Sequence, residues 1–354
     1  MSRFLSERFE KLKAYVPGEQ PRNMSYIKLN TNESPYPPAP QVVEALTAKE
    51  LNDLRLYSDP ECRLLRMALA DYYAVSAENI MVGNGSDEIL SFAFMAYCDK
   101  KEGVSYPDIS YGFYPVYSDL YGISKCEIPL RDDFTICTED YYNAGTTIVI
   151  ANPNAPTGIC LSIADIESIV KTNPNNVVLI DEAYIDFGGE SCIPLTEKYD
   201  NLLVVQTYSK SRSLAGARLG YAIGNAELIA DLDKLRCSTN PYNINRLTLL
   251  AGRAALTGQA YSDINNFEII RTREYTTEKL KELGFKLTDS KANFIFARHQ
   301  KLEGKDLYQG LRERGILVRH FDKPRITDFV RITVGTKEQM DTLLNTLKVV
   351  LTDA

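Results

Sequence analysis

The 354-residue chain contains only two histidines, His299 and His320. Chemistry built on a histidine triad or a histidine-rich metal site is therefore not expected, and no metal site is assigned. Cysteines occur at positions 62, 98, 126, 137, 160, 192 and 237. Their number is odd and no C-x-x-C pair is present, which argues against a disulfide framework or a zinc site and for a reducing compartment. No apolar run approaches the ~20 residues of a membrane span. The stretch Met1–Val16 is amphipathic and charged, unlike a secretory signal, so a cytoplasmic protein is expected. There is no Lys/Arg block, and the net charge is −7, from 40 basic and 47 acidic residues. Such a chain is a poor nucleic-acid binder. Neither a G-x-x-x-x-G-K-[ST] phosphate loop nor a G-x-G-x-x-G turn occurs, which disfavours a nucleotide-binding module. Small anionic ligands stay compatible, because a local basic pocket can sit on an acidic surface.

What is present is ordinary for a globular protein, with 44% hydrophobic and 25% charged residues. The length suggests about two domains. The stretch Asn30–Pro40 (NTNESPYPPAP) is too rich in proline for regular helix or central strand. Beyond it, short apolar runs alternate with helical patterns. Strands are predicted over 79–82, 103–106, 146–151, 177–180, 202–205 and 219–223, and helices over 63–73, 89–97 and 164–171. Continuous apolar runs separated by helices indicate strands buried on both faces, in an α/β fold with a mostly parallel central sheet flanked by helices. After Glu227 helices dominate, at 243–256, 263–282, 304–313 and 337–351, with strands at 293–297 and 329–333. This predicts a large domain over 31–240 and a smaller α+β domain over 241–354, joined by an N-terminal arm over 1–30.

Ligands of an open α/β sheet bind beyond the carboxyl ends of its strands. Four predicted strands end there in polar clusters: Gly83–Glu88, Asn152–Gly158, Asp181–Tyr184 and Gln206–Lys210. A lysine at a buried strand end is costly unless it has a partner or a task. An amine, an acid and a phosphate cradle together suit pyridoxal phosphate. Its aldehyde needs an amine, its ring nitrogen an acid, and its phosphate the N–H groups of a helix N-terminus with hydroxyls and an arginine. Lys210, Asp181, the turn Gly85-Ser86-Asp87, Ser209 and Arg218 are the candidates.

The chain resembles the fold-type I pyridoxal-phosphate aminotransferases, specifically the histidinol-phosphate aminotransferase group. The resemblance rests on KLNTNESPYPP (28–38), LYSDPE (56–61), GNGSDE (83–88), PDISYGFY (107–114), NPNAPTG (152–158), IDEAYIDF (180–187), TYSKSRSLAGARLGYAIG (207–224), GILVRHF (315–321) and VRITVGT (330–336). It implies that Lys210 is the Schiff-base lysine and proton shuttle, Asp181 the partner of the pyridinium nitrogen, and Tyr184 the donor to the cofactor's 3-oxygen. Tyr111 would stack on the ring. Ser86, Asp87, Ser209, Arg218 and Thr207 would hold the phosphate, with Tyr57 reaching it from the other subunit of a homodimer. Arg331 would hold the substrate carboxylate, and Arg319, Tyr15 and Asn32 would read the rest of the substrate. The implied reaction moves an amino group between L-histidinol phosphate and 2-oxoglutarate, in histidine biosynthesis. One departure stands out: the family usually has asparagine before Pro-Thr-Gly, touching the 3-oxygen, and here the residue is Ala155. That leaves Asn154, Asn152 or Tyr184 alone for the contact.

Each assignment competes with an ordinary structural role. Ser86 and Asp87 could simply cap a helix. Tyr57 and Tyr111 belong to a pool of 22 tyrosines, most of which pack. Arg331 could be an exposed edge residue rather than a clamp on an anion. Both histidines are read as structural and the cysteines as small buried hydrophobes. The rival activities on the same scaffold are an aromatic-amino-acid aminotransferase and a threonine-phosphate decarboxylase. A cofactor-binding regulator would need a basic DNA-binding segment, which the chain lacks.

Overall fold

The computed structural model describes residues 3–21, 24–98 and 102–353. The N-terminal part holds β1 (Ile27–Lys28), α1 (Pro40–Ala45), α2 (Ala48–Asn52) and α3 (Arg63–Tyr73). Then follow β2 (Ile80–Gly83), α4 (Ser86–Tyr97), β3 (Val104–Pro107), α5 (Tyr114–Tyr121), β4 (Lys125–Ile128), β5 (Thr147–Ala151), α6 (Ile163–Thr172), β6 (Val178–Asp181), β7 (Leu202–Thr207) and β8 (Gly220–Gly224). Next come α7 (Ala226–Thr239), α8 (Arg246–Thr257) and α9 (Gln259–Glu282). The chain closes with β9 (Phe285–Leu287), β10 (Phe294–His299), α10 (Gly304–Glu313), β11 (Ile316–Leu317), β12 (Arg319–His320), β13 (Phe329–Thr333) and α11 (Lys337–Asp353).

Seven strands form one sheet in the order β2-β8-β7-β6-β5-β3-β4. Six strands run in one direction, and β8 alone is reversed, antiparallel to both β2 and β7. Successive residues of the central strands divide between two cores, as the two-residue period of a strand requires. Ile148, Ile150, Val178, Ile180, Leu202 and Val204 pack with α3, α6 and α8 on one face. Val149, Leu179, Leu203 and Val205 pack with α4, α5 and α7 on the other. The apolar runs therefore read as continuous in the sequence because both faces are covered. Ala251 and Ala255 of α8 belong to the first of these cores, so the packing around the large sheet continues past residue 240.

A second module pairs β12-β13-β10-β9 as an antiparallel sheet, with α9, α10 and α11 supplying its core. β1 joins it by pairing with β11, and Leu29 enters that core. The edge strand β4 and the helices α5 and α7 were not individually read from the sequence. β4 (KCEI) is largely exposed and carries no apolar run to reveal it.

The reversal at β8 shapes the site. β7 leaves the sheet at Thr207, and β8 re-enters at Gly220, which pairs directly with Thr207. The loop between them, carrying Ser209, Lys210 and Arg218, thus folds back over one end of the sheet. β8 also lies tight against the start of α4: a Cβ at Gly220 would sit 2.5 Å from the Ser86 amide nitrogen and 2.7 Å from the Gly85 carbonyl carbon. Gly220→Ala is expected to cost about 1–3 kcal/mol by urea unfolding, the size of an overpacked core site. Gly216→Ala, where nothing lies within 4 Å of the new Cβ, is expected to stay within about 0.5 kcal/mol of the parent.

Candidate active site

The sheet register sets the floor of the site. Asp181, the last residue of β6, is level with Ala151 of β5 and Val205 of β7. The turn after β2 enters α4 through Gly85, whose φ of 79° lies in the left-handed region. A side chain there would also meet Arg218, since a Cβ would lie 2.6 Å from its Nη2. Glycine is thus required twice over. Above this floor is a cavity of about 480 Å³. It is walled by the large sheet's strand ends, by Tyr15, Pro17, Gly18 and Asn30 to Asn32 of the N-terminal part, and by β12, β13 and the loop between them.

Most expected residues meet in this cavity: Lys210, Asp181, Tyr184, Ser86, Asp87, Tyr111, Thr207, Ser209, Arg218, Arg331, Arg319, Tyr15 and Asn32 all line it. Asp181 is buried; it accepts a hydrogen bond from the Tyr114 hydroxyl at 3.1 Å and one from the Ala183 amide at 3.2 Å. Burial dominates and pushes its carboxyl up to about 7, the two donors only partly offsetting it. Lys210 donates to the Thr31 carbonyl at 3.3 Å. Its ammonium is pushed down to about 8, chiefly by desolvation and then by Arg331. Asp87 receives the Arg218 guanidinium at 2.9 Å and the Tyr111 hydroxyl at 2.7 Å, so its side chain acts as well as its backbone. Tyr15 stacks on Phe113 with centroids 4.2 Å apart.

Arg319 and Arg331 face each other directly across β12 and β13. Among the described residues neither forms an ion pair with a carboxylate. Arg331 donates to the Asn30 carbonyl at 3.3 Å, and its buried Nε has no partner. Desolvation holds its guanidinium below the usual arginine value.

Three expected residues, Asn154, Tyr57 and Gly85, fall outside the cavity. The Asn154 amide is used within its own loop: Nδ2 donates to the Ile109 carbonyl and to Thr157 Oγ1, each at 3.0 Å, and Oδ1 accepts from Ser110 at 2.8 Å. Tyr57 is 81% exposed and stacks on Tyr242, with centroids 4.5 Å apart. Gly85 shapes the turn without lining the cavity. Asn32 lines it, but its amide goes to Tyr184 rather than into open space. Sequence reasoning missed Tyr114, although it lies in the quoted PDISYGFY stretch; nothing local separates it from other buried tyrosines. It also missed Lys323, Phe321 and Ile326, which reach the cavity from the loop after β12. His299 and His320 both bond backbone carbonyls, of Leu283 and Thr327 respectively, as structural histidines do.

The sheet topology, a lysine and an acid at neighbouring strand ends and a glycine turn opening a helix define a recognisable class. The family model of aminotransferase class I and II matches residues 25–347, and the chain belongs to this family. Within the class, its relatives are named histidinol-phosphate aminotransferase. That of Brachyspira hyodysenteriae is 51% identical over 352 residues, covering 99% of both chains. That of Acinetobacter baylyi is 51% identical, covering 98% of this chain and 97% of the other. A crystal structure of histidinol-phosphate aminotransferase from Sinorhizobium meliloti, in complex with pyridoxal-5'-phosphate, superposes with a TM-score of 0.90 at 24% identity over all of both chains. The fold is thereby shared, as the sequence pattern predicted.

Burial of Asp181 has a pH consequence. Its value in the fold, about 7, lies above its ordinary 3.8, so the native state binds the extra proton across that window. Stability from this group is present at low pH and declines as pH rises through it. Asp181→Asn removes the dependence. In cofactor-free protein, urea unfolding should show the variant gaining on the parent by up to ~4 kcal/mol between pH 4 and pH 8. Parallel pH curves for the two proteins would refute the assignment.

Proposed function

We propose that the chain catalyses amino transfer between L-histidinol phosphate and 2-oxoglutarate, yielding imidazole-acetol phosphate and L-glutamate, with pyridoxal 5'-phosphate as cofactor. The observation that carries the reading is the Arg319–Arg331 pair. Like charges directly opposite each other on a sheet are unfavourable, and here both line one cavity with neither ion-paired to a carboxylate among the described residues. An anionic ligand relieves that repulsion. A phosphate ester suits two guanidinium forks, and a dicarboxylate suits the same site with its distal carboxylate. The relatives' names carry the first of these substrates, histidinol phosphate.

The residues fit the cofactor. Asp181 is buried with neutral donors and no cation, which suits a protonated ring nitrogen. The Gly85 turn and Arg218 form a cradle that a side chain would fill. Ser86 and Asp87 amides at the start of α4, the Thr207 and Ser209 hydroxyls and Arg218 would hold the phosphate. Tyr111 would cover the ring face. When bound, pyridoxal phosphate supplies an electron sink for the charge left at the substrate's Cα. Lys210 supplies the amine that carries the cofactor and then moves the proton from that Cα. Its lowered proton affinity leaves a useful fraction neutral near pH 8. Asp181 holds the proton on the ring nitrogen, and Arg331 with Arg319 orients the substrate by its anion.

The protein is further read as a cytoplasmic homodimer. Val43, Leu46, Leu51, Leu54, Leu56 and Tyr57 form an exposed apolar stretch suited to a second copy. Tyr57 would then serve the partner's site. All seven cysteines are free, and no described helix is long and apolar enough to cross a membrane.

The test is a half-reaction on cofactor-loaded protein, followed by absorbance. L-histidinol phosphate and L-glutamate should each convert the cofactor to its amine form. Equal conversion by L-phenylalanine would indicate an aromatic aminotransferase, and carbon dioxide release from L-threonine phosphate a decarboxylase. Absence of any cofactor band would overturn the proposal. Lys210→Ala should abolish borohydride fixation of the cofactor. Arg331→Gln should lower kcat/KM for both donors by about 30- to 1,000-fold, the range of a lost charge-assisted contact.

A further inference from the structure

The loop that ends in Pro156 offers the cavity no side-chain amide. Ala155 lines the wall without a side-chain donor. The Asn152 amide is tied to Leu161, accepting from its N–H at 2.7 Å and donating to its carbonyl at 3.3 Å. The Asn154 amide is satisfied as described above. One amide does reach the Tyr184 hydroxyl, and it comes from the opposite wall: Asn32 Nδ2 donates to the phenolic oxygen at 2.9 Å.

Asn32 is held for this purpose from three sides. Its backbone φ of 56° lies in the left-handed region that asparagine tolerates better than most residues. Its amide N–H donates to Thr333 Oγ1 at 2.9 Å, and its carbonyl accepts from the Asn293 amide at 3.0 Å. Thr333 Oγ1 then gives its own proton to Asn32 Oδ1 at 3.1 Å. That bond fixes which end of the Asn32 amide is oxygen, and Nδ2 is left turned toward Tyr184.

A phenol that accepts at its oxygen still has one proton to give. No acceptor for it is found among the described residues, and Tyr184 lines the cavity beside Lys210, whose Nζ lies 6.0 Å from its ring centroid. We propose that Asn32 is a positioning residue that makes Tyr184 a donor into the cavity, taking over from β13's side the role that an amide at position 155 would have. The inference rests on the reading that the cavity holds pyridoxal phosphate with its 3-oxygen toward Tyr184. Through Tyr184, Asn32 sets the proton affinity of the cofactor as bound to Lys210: a donor to the 3-oxygen stabilises the anion there and favours loss of the proton shared with the lysine nitrogen. The charged and titratable groups facing Tyr184 are Arg331 from β13, Asp181 from β6, Asp87 from α4, Tyr114 from α5, Tyr15 from the N-terminal segment and Lys210 itself. None of these changes in the variants below.

The experiment is a pH titration of the absorbance of the holoenzyme. Asn32→Asp keeps shape and tolerates the same φ, but its carboxylate accepts the phenolic proton and turns it away. Asn32→Gly removes the amide without backbone strain. Both should raise the titration midpoint by ~1 pH unit, a tenfold change in proton affinity. Adding Ala155→Asn to Asn32→Gly should bring the midpoint back toward the parent. In a Tyr184→Phe background, whose own midpoint should rise, Asn32→Gly should add nothing. If Tyr184→Phe shifts the midpoint and the Asn32 variants do not, the role of Asn32 is refuted while the cofactor reading stands. If Tyr184→Phe shifts nothing, or the parent shows no titrating band, the reading beneath it fails and the inference falls with it. An equal Asn32→Gly shift with and without Tyr184 would also overturn it.

Discussion

Ionic groups taken out of water without ionic partners are the constraint around which this molecule is arranged. Asp181 has only neutral donors, Arg331 has an unpartnered Nε, and Lys210 reaches only a carbonyl. Isolated desolvated charges cost several kcal/mol each, against a typical total stability of about 5–15 kcal/mol. They persist because the surrounding scaffold leaves them nowhere else to go. Asp181 ends a strand whose every residue is buried, between two neighbours in fixed register. A ligand bearing a ring cation, an aldehyde and anions meets each unmet demand at once. The instability of the bare cavity and its affinity for such a ligand are two expressions of the same electrostatics.

Two layers of structure share the task of holding these groups. The large sheet places the lysine, the acid and the Gly85 turn, and the antiparallel return of β8 brings Arg218 to the same end of the sheet as Lys210. The second module places Arg319, Arg331 and the contacts that hold Asn32. Its position over the sheet is fixed by long polar side chains. Arg325 spans to Asp108 at 3.0 Å and to the Leu130 and Arg131 carbonyls at 2.8 Å each. Glu19, on the N-terminal segment that crosses the cavity mouth, is bound to Arg312 of α10 at 2.6 Å. Ile326 supports the first of these by burying itself with Ile109, Leu130 and Phe134. A guanidinium engaged by three acceptors gives orientation as well as attraction.

Much of this was legible in the residues. The strand runs VVLI and LLVV showed their double burial directly, and the polar residues after them mark the site because strand ends of an open sheet face the crevice. Lys210, Asp181 and the Gly85 turn were therefore readable one segment at a time. What could not be read were relations between segments far apart in sequence. Tyr114 looks like any buried tyrosine until α5 is laid beside β6. Asn154 sits in the right motif, yet its amide is captured by Ile109 and Ser110 from another loop. Tyr57 projects from the surface of its own chain. Asn32 was grouped with residues that read the substrate, whereas its side chain faces Tyr184 across 152 positions of sequence.

The exchange between positions 155 and 32 shows why such relations escape a motif. A hydrogen-bond donor is defined by where its N–H points, and a cavity built from two modules can receive that N–H from either wall. Alanine at 155 removes the donor on the sheet's side. The asparagine on the opposite side reaches the Tyr184 hydroxyl because Thr333 orients its amide, and Thr333 stands one strand residue from Ile332 and two from Arg331, on the face that also presents that arginine to the cavity. The strand that carries Arg331 thereby also orients, through Thr333, the amide that meets the Tyr184 hydroxyl. A shift of β13 would be felt at both points together, so on the proposed reading recognition of the substrate's anion and the proton affinity of the cofactor would be coupled through one strand.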